Sequence, residues 1–157
     1  MPSFQEVIGR LPVRQFAAGG VLIEQGSRAD HLYFLIEGQV EVLKDTTVIA
    51  EVSEPGAVFG EMSILLDAVH TATVRARTPS SFRVAGASLA FLRDNPDVAL
   101  YVAQILARRL DSLNRYLVDV KSQFKGFDDH MHMVDEVLDA LMTKHPRRVE
   151  RRPVDDQ

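Results

Sequence analysis

The order of hydrophobic and polar residues divides the chain into two parts at Pro96. Before Pro96, short apolar runs alternate with turn residues, and eight of the nine glycines lie at or before Gly86. Many short apolar runs separated by regular turns predict an antiparallel sandwich, jelly roll or barrel. The runs that predict strands are residues 21–23, 32–36, 40–42, 48–49, 73–75 and 81–84.

The residues after Pro96 follow a helical pattern. Proline suits the first position of a helix, and Asn95 precedes it as a candidate N-cap. Apolar residues then recur at alternating spacings of four and three, which is the heptad spacing of a coiled coil. We call these residues the seam: Ala99, Ala103, Leu106, Leu110, Leu113, Leu117, Val120 and Phe124.

The length of this helix favours a contact with a second subunit. A helix of about 28 residues spans about 42 Å, which is longer than a small β domain can cover. We therefore predict a homodimer, with an interface that contains the residues Leu106, Leu110, Leu113, Leu117 and Val120. The alternative is an amphipathic helix that packs only on its own domain.

The pattern divides the chain into four segments. Residues 1–96 form the β domain, and residues 97–125 form the long helix, which Gly126 ends. Residues 126–145 form a short C-terminal helix, for which Asp128 is a candidate cap. Residues 146–157 have no periodicity, so we expect a disordered tail.

Composition excludes several classes of protein. The 157 residues contain no cysteine, which excludes disulfide scaffolds, thiolate zinc sites and cysteine nucleophiles. No catalytic motif and no metal-ligand spacing is present, so we expect neither an enzyme nor a metal site. The net charge of −4 argues weakly against nucleic-acid binding. No apolar run has membrane length and no signal pattern opens the chain, so we expect a cytoplasmic protein.

Four motifs carry a resemblance to a known family: GVLIEQG at 20–26, LYFLIEGQVEV at 32–42, GAVFGEMSILL at 56–66 and TATVRA at 71–76. Together they resemble the cyclic-nucleotide-binding domain of catabolite-activator-type regulators, cyclic-nucleotide-dependent kinase subunits and gated channels. The match covers about residues 10–125. It implies a mainly β fold with helices: a jelly-roll-like cyclic-nucleotide-binding β-roll, a long dimerisation helix and a short C-terminal helix. Residues 1–96 would then be the sensor domain.

The resemblance places a ligand segment at Phe59, Gly60, Glu61 and Met62. The short apolar helix of residues 62–66 has unpaired N–H groups at its start, which can hold a phosphate. Gly60 would let a ligand approach the backbone, and Glu61 would accept a ribose hydroxyl as it does in the family. The alternative is a glycine turn in which a glutamate caps its own helix.

His70 departs from the family pattern. The family carries an arginine here that pairs with the cyclic phosphate, and a proline where this chain has Val69. A guanidinium is always charged and has a two-donor fork, whereas an imidazole is mostly neutral near pH 7. Thr71 could still donate its hydroxyl to the phosphate. The alternative is that His70 faces solvent and the pocket is vestigial. His31 is expected in a turn, also facing solvent.

The long helix also has a role in the family. In bacterial relatives, the partner's helix caps the purine base with polar side chains, and the matching positions here are Leu113 and Asn114. The amide of Asn114 can donate to and accept from a base edge. Those relatives continue into a winged helix-turn-helix, but only 33 residues follow Phe124 here, so we expect no DNA binding.

Two functions remain open at this stage. The first is a non-enzymatic cyclic-nucleotide sensor without a cofactor, which binds cyclic AMP or cyclic GMP and acts through a homodimer and a protein partner. Thr71 matches a position where some cyclic-GMP-binding relatives carry threonine. The second is a degenerate scaffold or interaction domain that keeps the roll and the helix but binds no nucleotide.

Overall fold

The computed structural model describes residues 2–28, 31–86, 89–123 and 128–142. Phe124, Gly126 and the segment 146–157 lie outside the described residues, so the predictions made for them stay predictions. The elements in chain order are α1 (Phe4–Arg10), β1 (Val13–Phe16), β2 (Val21–Ile23), β3 (His31–Glu37), β4 (Val40–Lys44), β5 (Thr47–Val52), β6 (Val58–Phe59), α2 (Glu61–Leu66), β7 (Thr73–Ala76), β8 (Ser80–Gly86), α3 (Leu89–Asp94), α4 (Pro96–Gln123) and α5 (Asp128–Met142).

The eight strands form two antiparallel four-stranded sheets. Their orders are β1-β8-β3-β6 and β2-β7-β4-β5. This is the predicted β-roll, followed by the predicted long helix and short C-terminal helix, so the predicted fold class is confirmed. All six predicted runs are strands. The pattern did not indicate β1, whose four residues are mostly exposed, or β6, which has two residues.

The two sheets pack face to face around aromatic rings. Phe82 of β8 is fully buried, and the rings of Phe16, Tyr33 and Phe59 meet its ring edge-to-face at centroid distances of 5.6, 5.9 and 6.3 Å. Edge-to-face pairs add stabilisation beyond the burial of their surface. The other buried members of this core are Leu22, Ile23, Leu35, Val40, Val74, Ala76 and Val84.

A second aromatic contact holds α1 and the first turns of α4 on the roll. The ring of Phe4 stacks on the ring of Tyr101 with centroids 4.1 Å apart. The Tyr101 hydroxyl donates to the Gly56 carbonyl at 2.6 Å, in the turn before β6. Val98 and Val102 of α4 are buried. The start of α4 is therefore bonded to the turn that leads into β6 and α2.

The chain forms two compact units, residues 1–105 and 106–157. In the second unit, the Lys121 ammonium of α4 pairs with the Asp135 carboxylate of α5. α4 begins at Pro96 as predicted and its described part has 28 residues. Among the described residues, no helix combines the length and apolar character that a bilayer crossing requires.

Gly38 gives a direct test of sheet packing. Its φ is +118°, and a Cβ at this position would lie 2.6 Å from Ser80 Cβ and 2.7 Å from Ser80 Cα. Because backbone would have to move, we expect Gly38→Ala to lower the free energy of unfolding by about 3 kcal/mol in urea denaturation. Gly86→Ala is the matched control, since no atom lies within 4 Å of its Cβ position. Equal stability of the two variants would contradict the packing described here.

Candidate functional site

The turn between β6 and α2 brings the predicted ligand segment against β3. Gly60 is the N-cap of α2 with φ +93°. A Cβ at Gly60 would lie 2.7 Å from the His31 carbonyl oxygen and 3.6 Å from Ile23 Cδ1. Glycine is required here because the turn packs directly on the first residue of β3. The structure thus gives Gly60 a packing role that does not depend on a ligand.

The four predicted residues of this segment have different environments. Phe59 belongs to the core between the sheets. Glu61, the first residue of α2, is only 4% exposed, whereas Met62 is 50% exposed. Glutamate side chains are rarely buried in folded proteins. The burial of Glu61 therefore distinguishes it from the other three residues of the segment. The ligand roles of all four residues stay predictions.

At least three hydrogen bonds hold His70 in place. Its imidazole Nδ1 lies 2.7 Å from the Ser63 hydroxyl of α2. Its backbone N–H donates to the Ser27 carbonyl at 2.8 Å, and its backbone carbonyl accepts from the Gly26 N–H at 2.8 Å. The residue is 7% exposed, so the alternative in which His70 faces solvent is wrong. Thr71, the next residue, is exposed.

A cavity of about 430 Å³ lies beside His70, between strands of both sheets. His31 lines it as the half-buried first residue of β3, so the expectation of a solvent-facing turn was wrong. The cavity was not predicted, because its residues come from β1, β2, β3, the loop after β2 and the segment after α2. They are Arg14, Phe16, Val21, Leu22, Ile23, Glu24, Ser27, Arg28, His31, Tyr33 and His70.

Two arginines give this cavity its charge. The Arg14 guanidinium donates to the Tyr33 hydroxyl at 3.4 Å and lies 5.7 Å from the centroid of the Phe16 ring. Arg28 lies 3.8 Å from the Asp67 carboxylate, and both side chains are exposed. Such an exposed pair contributes little to stability.

Arg75, in β7, and Arg77, which directly follows β7, differ from these two arginines because both are paired with nearby carboxylates. Arg75 donates to Glu41 through two nitrogens, at 2.7 and 3.2 Å. Arg77 pairs with Glu41 at 3.7 Å and also with Glu51. Carboxylates on the neighbouring strands therefore neutralise both guanidiniums.

The structure brings some of the predicted site residues together. Phe59, Gly60, Glu61 and Met62 are contiguous, and the bond from Ser63 connects His70 to their helix. Asn114 belongs to the second compact unit. Its Oδ1 is buried without a hydrogen-bond partner among the described residues. Ser63 was missed because nothing in the sequence distinguishes it as the partner of His70.

The part of the chain that forms the β-roll matches a known family of domains. Residues 13–89 match the family model described as "Cyclic nucleotide-binding domain". These residues form the β-roll, which thus belongs to the cyclic nucleotide-binding domain family, and the resemblance inferred from the motifs is confirmed.

Two curated relatives illustrate the family. The chain is 27% identical over 101 residues to the cAMP-dependent protein kinase regulatory subunit of Schizosaccharomyces pombe, covering 59% of this chain and 24% of the relative. It is 28% identical over 123 residues to the cAMP-activated global transcriptional regulator CRP of Pasteurella multocida, covering 73% of this chain and 58% of the relative. The chain therefore spans less than two thirds of either protein.

Two solved structures share the fold. The catabolite activator protein of Thermus thermophilus superimposes with a TM-score of 0.60 at 27% identity, covering 72% of this chain and 56% of that one. The N-terminal domain of a transcriptional regulator from Streptomyces coelicolor A3(2) gives a TM-score of 0.52 at 29% identity, covering 70% and 83%.

The bond between Ser63 and His70 can be tested by removing the hydroxyl. Because Ser63→Ala leaves the buried Nδ1 of His70 without this partner, we expect the free energy of unfolding to fall by about 1–2 kcal/mol. Urea denaturation measures the change, and the ¹⁵N shifts of the imidazole should move with it. Ser53→Ala, at an exposed position, is the control and should be neutral. Unchanged stability and unchanged imidazole shifts in Ser63→Ala would show that the bond is absent.

Proposed function

We propose that the protein is a regulatory sensor that binds a cyclic nucleotide at the segment from Gly60 to Thr71. The observation that carries this proposal is the burial of Glu61 at the start of α2, inside the part of the chain that matches the family. A buried carboxylate next to a tight glycine turn suits the binding of a ribose hydroxyl. Cyclic AMP and cyclic GMP are the ligands to test, and we propose no cofactor and no catalytic activity.

Binding of the ligand's phosphate is the least supported part of this proposal. With an imidazole where the family has an arginine, position 70 offers a single donor toward the phosphate and no permanent charge. The bond from Ser63 to His70 Nδ1 also supports the second candidate function, a scaffold that binds no nucleotide. In that case His70 is a structural residue that fixes α2.

We further propose that the protein acts as a homodimer through the seam of α4. Leu110 and Leu113 are 40% and 45% exposed in the single chain, although leucine is typically buried. Leu106, Leu117 and Val120 are half-buried at the same helical spacing. A second copy packed on this surface would cover them as coiled-coil residues.

In the proposed dimer, Asn114 would contact the base of the nucleotide. It follows Leu113 directly, and its buried Oδ1 lacks a partner among the described residues. In a dimer, its amide would serve the base edge of the nucleotide held by the other copy. The downstream partner of this sensor would be a protein that reads the state of the dimer.

The decisive experiment is a titration of the purified protein with cyclic AMP and cyclic GMP by calorimetry at pH 8 and pH 6. The ordinary pKa of histidine is about 6.5, so a bound phosphate would favour the protonated imidazole at the lower pH. We expect affinity to rise as pH falls, by up to roughly tenfold. His70→Arg should bind more tightly at pH 8 and lose the pH dependence, because arginine stays charged.

The same titration distinguishes the two candidate functions. Glu61→Gln serves as the negative variant and should weaken binding of either nucleotide. If wild type binds neither nucleotide at either pH while His70→Arg binds, the loss of arginine has abolished sensing and the scaffold function is correct. If neither protein binds, the nucleotide site itself is absent.

The dimer is tested by the double variant Leu110→Asp/Leu113→Asp. Burying two carboxylates in an apolar contact is strongly unfavourable, so we expect a monomer where the wild type is a dimer in analytical ultracentrifugation at micromolar concentration. The control is Leu100→Asp/Val118→Asp, which changes two exposed apolar residues of α4 outside the seam. A monomeric wild type, or equal dissociation of both variants, would contradict the proposed interface.

A further inference from the structure

The cavity beside His70 has the size and the lining of a ligand site. Its volume of about 430 Å³ falls in the range that small-molecule sites occupy. None of Gly60, Glu61, Met62 or Thr71 lines it. We propose that this cavity binds a small organic molecule that carries a phosphate group, at a site separate from the one proposed for the cyclic nucleotide.

The charges that line the cavity favour an anion. Arg14 and Arg28 carry two permanent positive charges, and Glu24 is the one carboxylate among the lining residues. Within the described ranges, no carboxylate pairs with Arg14. By contrast, Arg75 and Arg77 are neutralised by Glu41 and Glu51. The guanidinium of Arg14 therefore keeps its positive charge available for a ligand in the cavity.

Arg14 is already positioned for this role. Its bond to the Tyr33 hydroxyl uses one of the five N–H donors of the guanidinium, and the ring of Phe16 lies beneath it. A guanidinium held in place can bind two phosphate oxygens with little further loss of entropy. Arg28 is bound only by a long, exposed ion pair to Asp67, so it can turn toward a ligand at small cost.

The rest of the lining suits the organic part of such a ligand. Phe16, Leu22 and Ile23 supply an apolar wall, and the imidazole of His31 supplies a hydrogen-bonding group near the ring of Tyr33, at a centroid distance of 6.0 Å. An apolar and aromatic wall beside a cationic mouth fits a nucleoside monophosphate better than a bare anion.

His70 connects this cavity to the proposed cyclic-nucleotide site. His70 lines the cavity, and its Nδ1 is bonded to Ser63 of α2. A ligand in the cavity would therefore fix His70, and with it α2, without contacting Glu61. Occupancy of one site should change the affinity of the other, by the same factor in both directions.

The test is calorimetric titration of the full chain with 5′-AMP and, separately, with inorganic phosphate. We expect 5′-AMP to bind more tightly than phosphate, with an affinity that falls as salt is added. Arg14→Gln/Arg28→Gln should lower the affinity for 5′-AMP by at least about tenfold. The matched control is Arg10→Gln/Arg93→Gln, which removes two exposed arginines outside the cavity and should leave the affinity unchanged. Glu61→Gln should also bind 5′-AMP as the wild type does.

Three results would overturn the proposal: no binding of 5′-AMP by the wild type, equal weakening in both arginine double variants, or loss of 5′-AMP binding in Glu61→Gln. A fourth would be loss of cyclic AMP binding in Arg14→Gln/Arg28→Gln together with direct competition between cyclic AMP and 5′-AMP, because the cavity would then be the cyclic-nucleotide site. If the wild type binds 5′-AMP through Arg14 and Arg28 but binds no cyclic nucleotide, the sensor function fails and the cavity site stands.

Discussion

Hydrogen bonds of His70 to Gly26, Ser27 and Ser63 join the segments on which the proposed sites of this roll depend. The backbone bonds to Gly26 and Ser27 attach the start of the β2–β3 loop to the segment after α2, and the imidazole bond to Ser63 attaches that segment to α2 itself. Buried polar groups are paired in folded proteins because an unpaired one costs a large part of its hydration energy. The loop, the short helix and the cavity wall are therefore positioned by one residue.

The imidazole at position 70 differs from a guanidinium both in charge and in the hydrogen bonds that it can form. A guanidinium at position 70 would supply both the fixed charge and the hydrogen bonds for a phosphate. The imidazole of His70 instead bonds to Ser63, while the guanidiniums near it belong to Arg14 and Arg28. The bond to α2 and the permanent positive charges thus belong to different residues, since Arg14 and Arg28 line the cavity and Ser63 does not.

The sequence predicted the architecture well and the chemistry of position 70 poorly. The runs 32–36 and 81–84, each bounded by turn residues, identified the strands β3 and β8, because a strand that packs between two sheets carries apolar side chains. Short strands such as β1 carry no such signal, since Arg14 and Gln15 are exposed. The surroundings of His70 depend on Ser27, which is 43 residues away, and on Ser63. Contacts of this kind arise only when the chain has folded, so no local pattern contains them.

The contact between Tyr101 and Gly56 limits how this sequence can diverge. A Cβ at Gly56 would lie 2.6 Å from the Tyr101 hydroxyl oxygen, and the φ of +88° also disfavours any other residue at position 56. A side chain there and a tyrosine hydroxyl at 101 cannot occupy the same space. A side chain at position 56 would therefore require the loss of a tyrosine hydroxyl 45 residues later in the chain, whereas Tyr101 can change while Gly56 is kept.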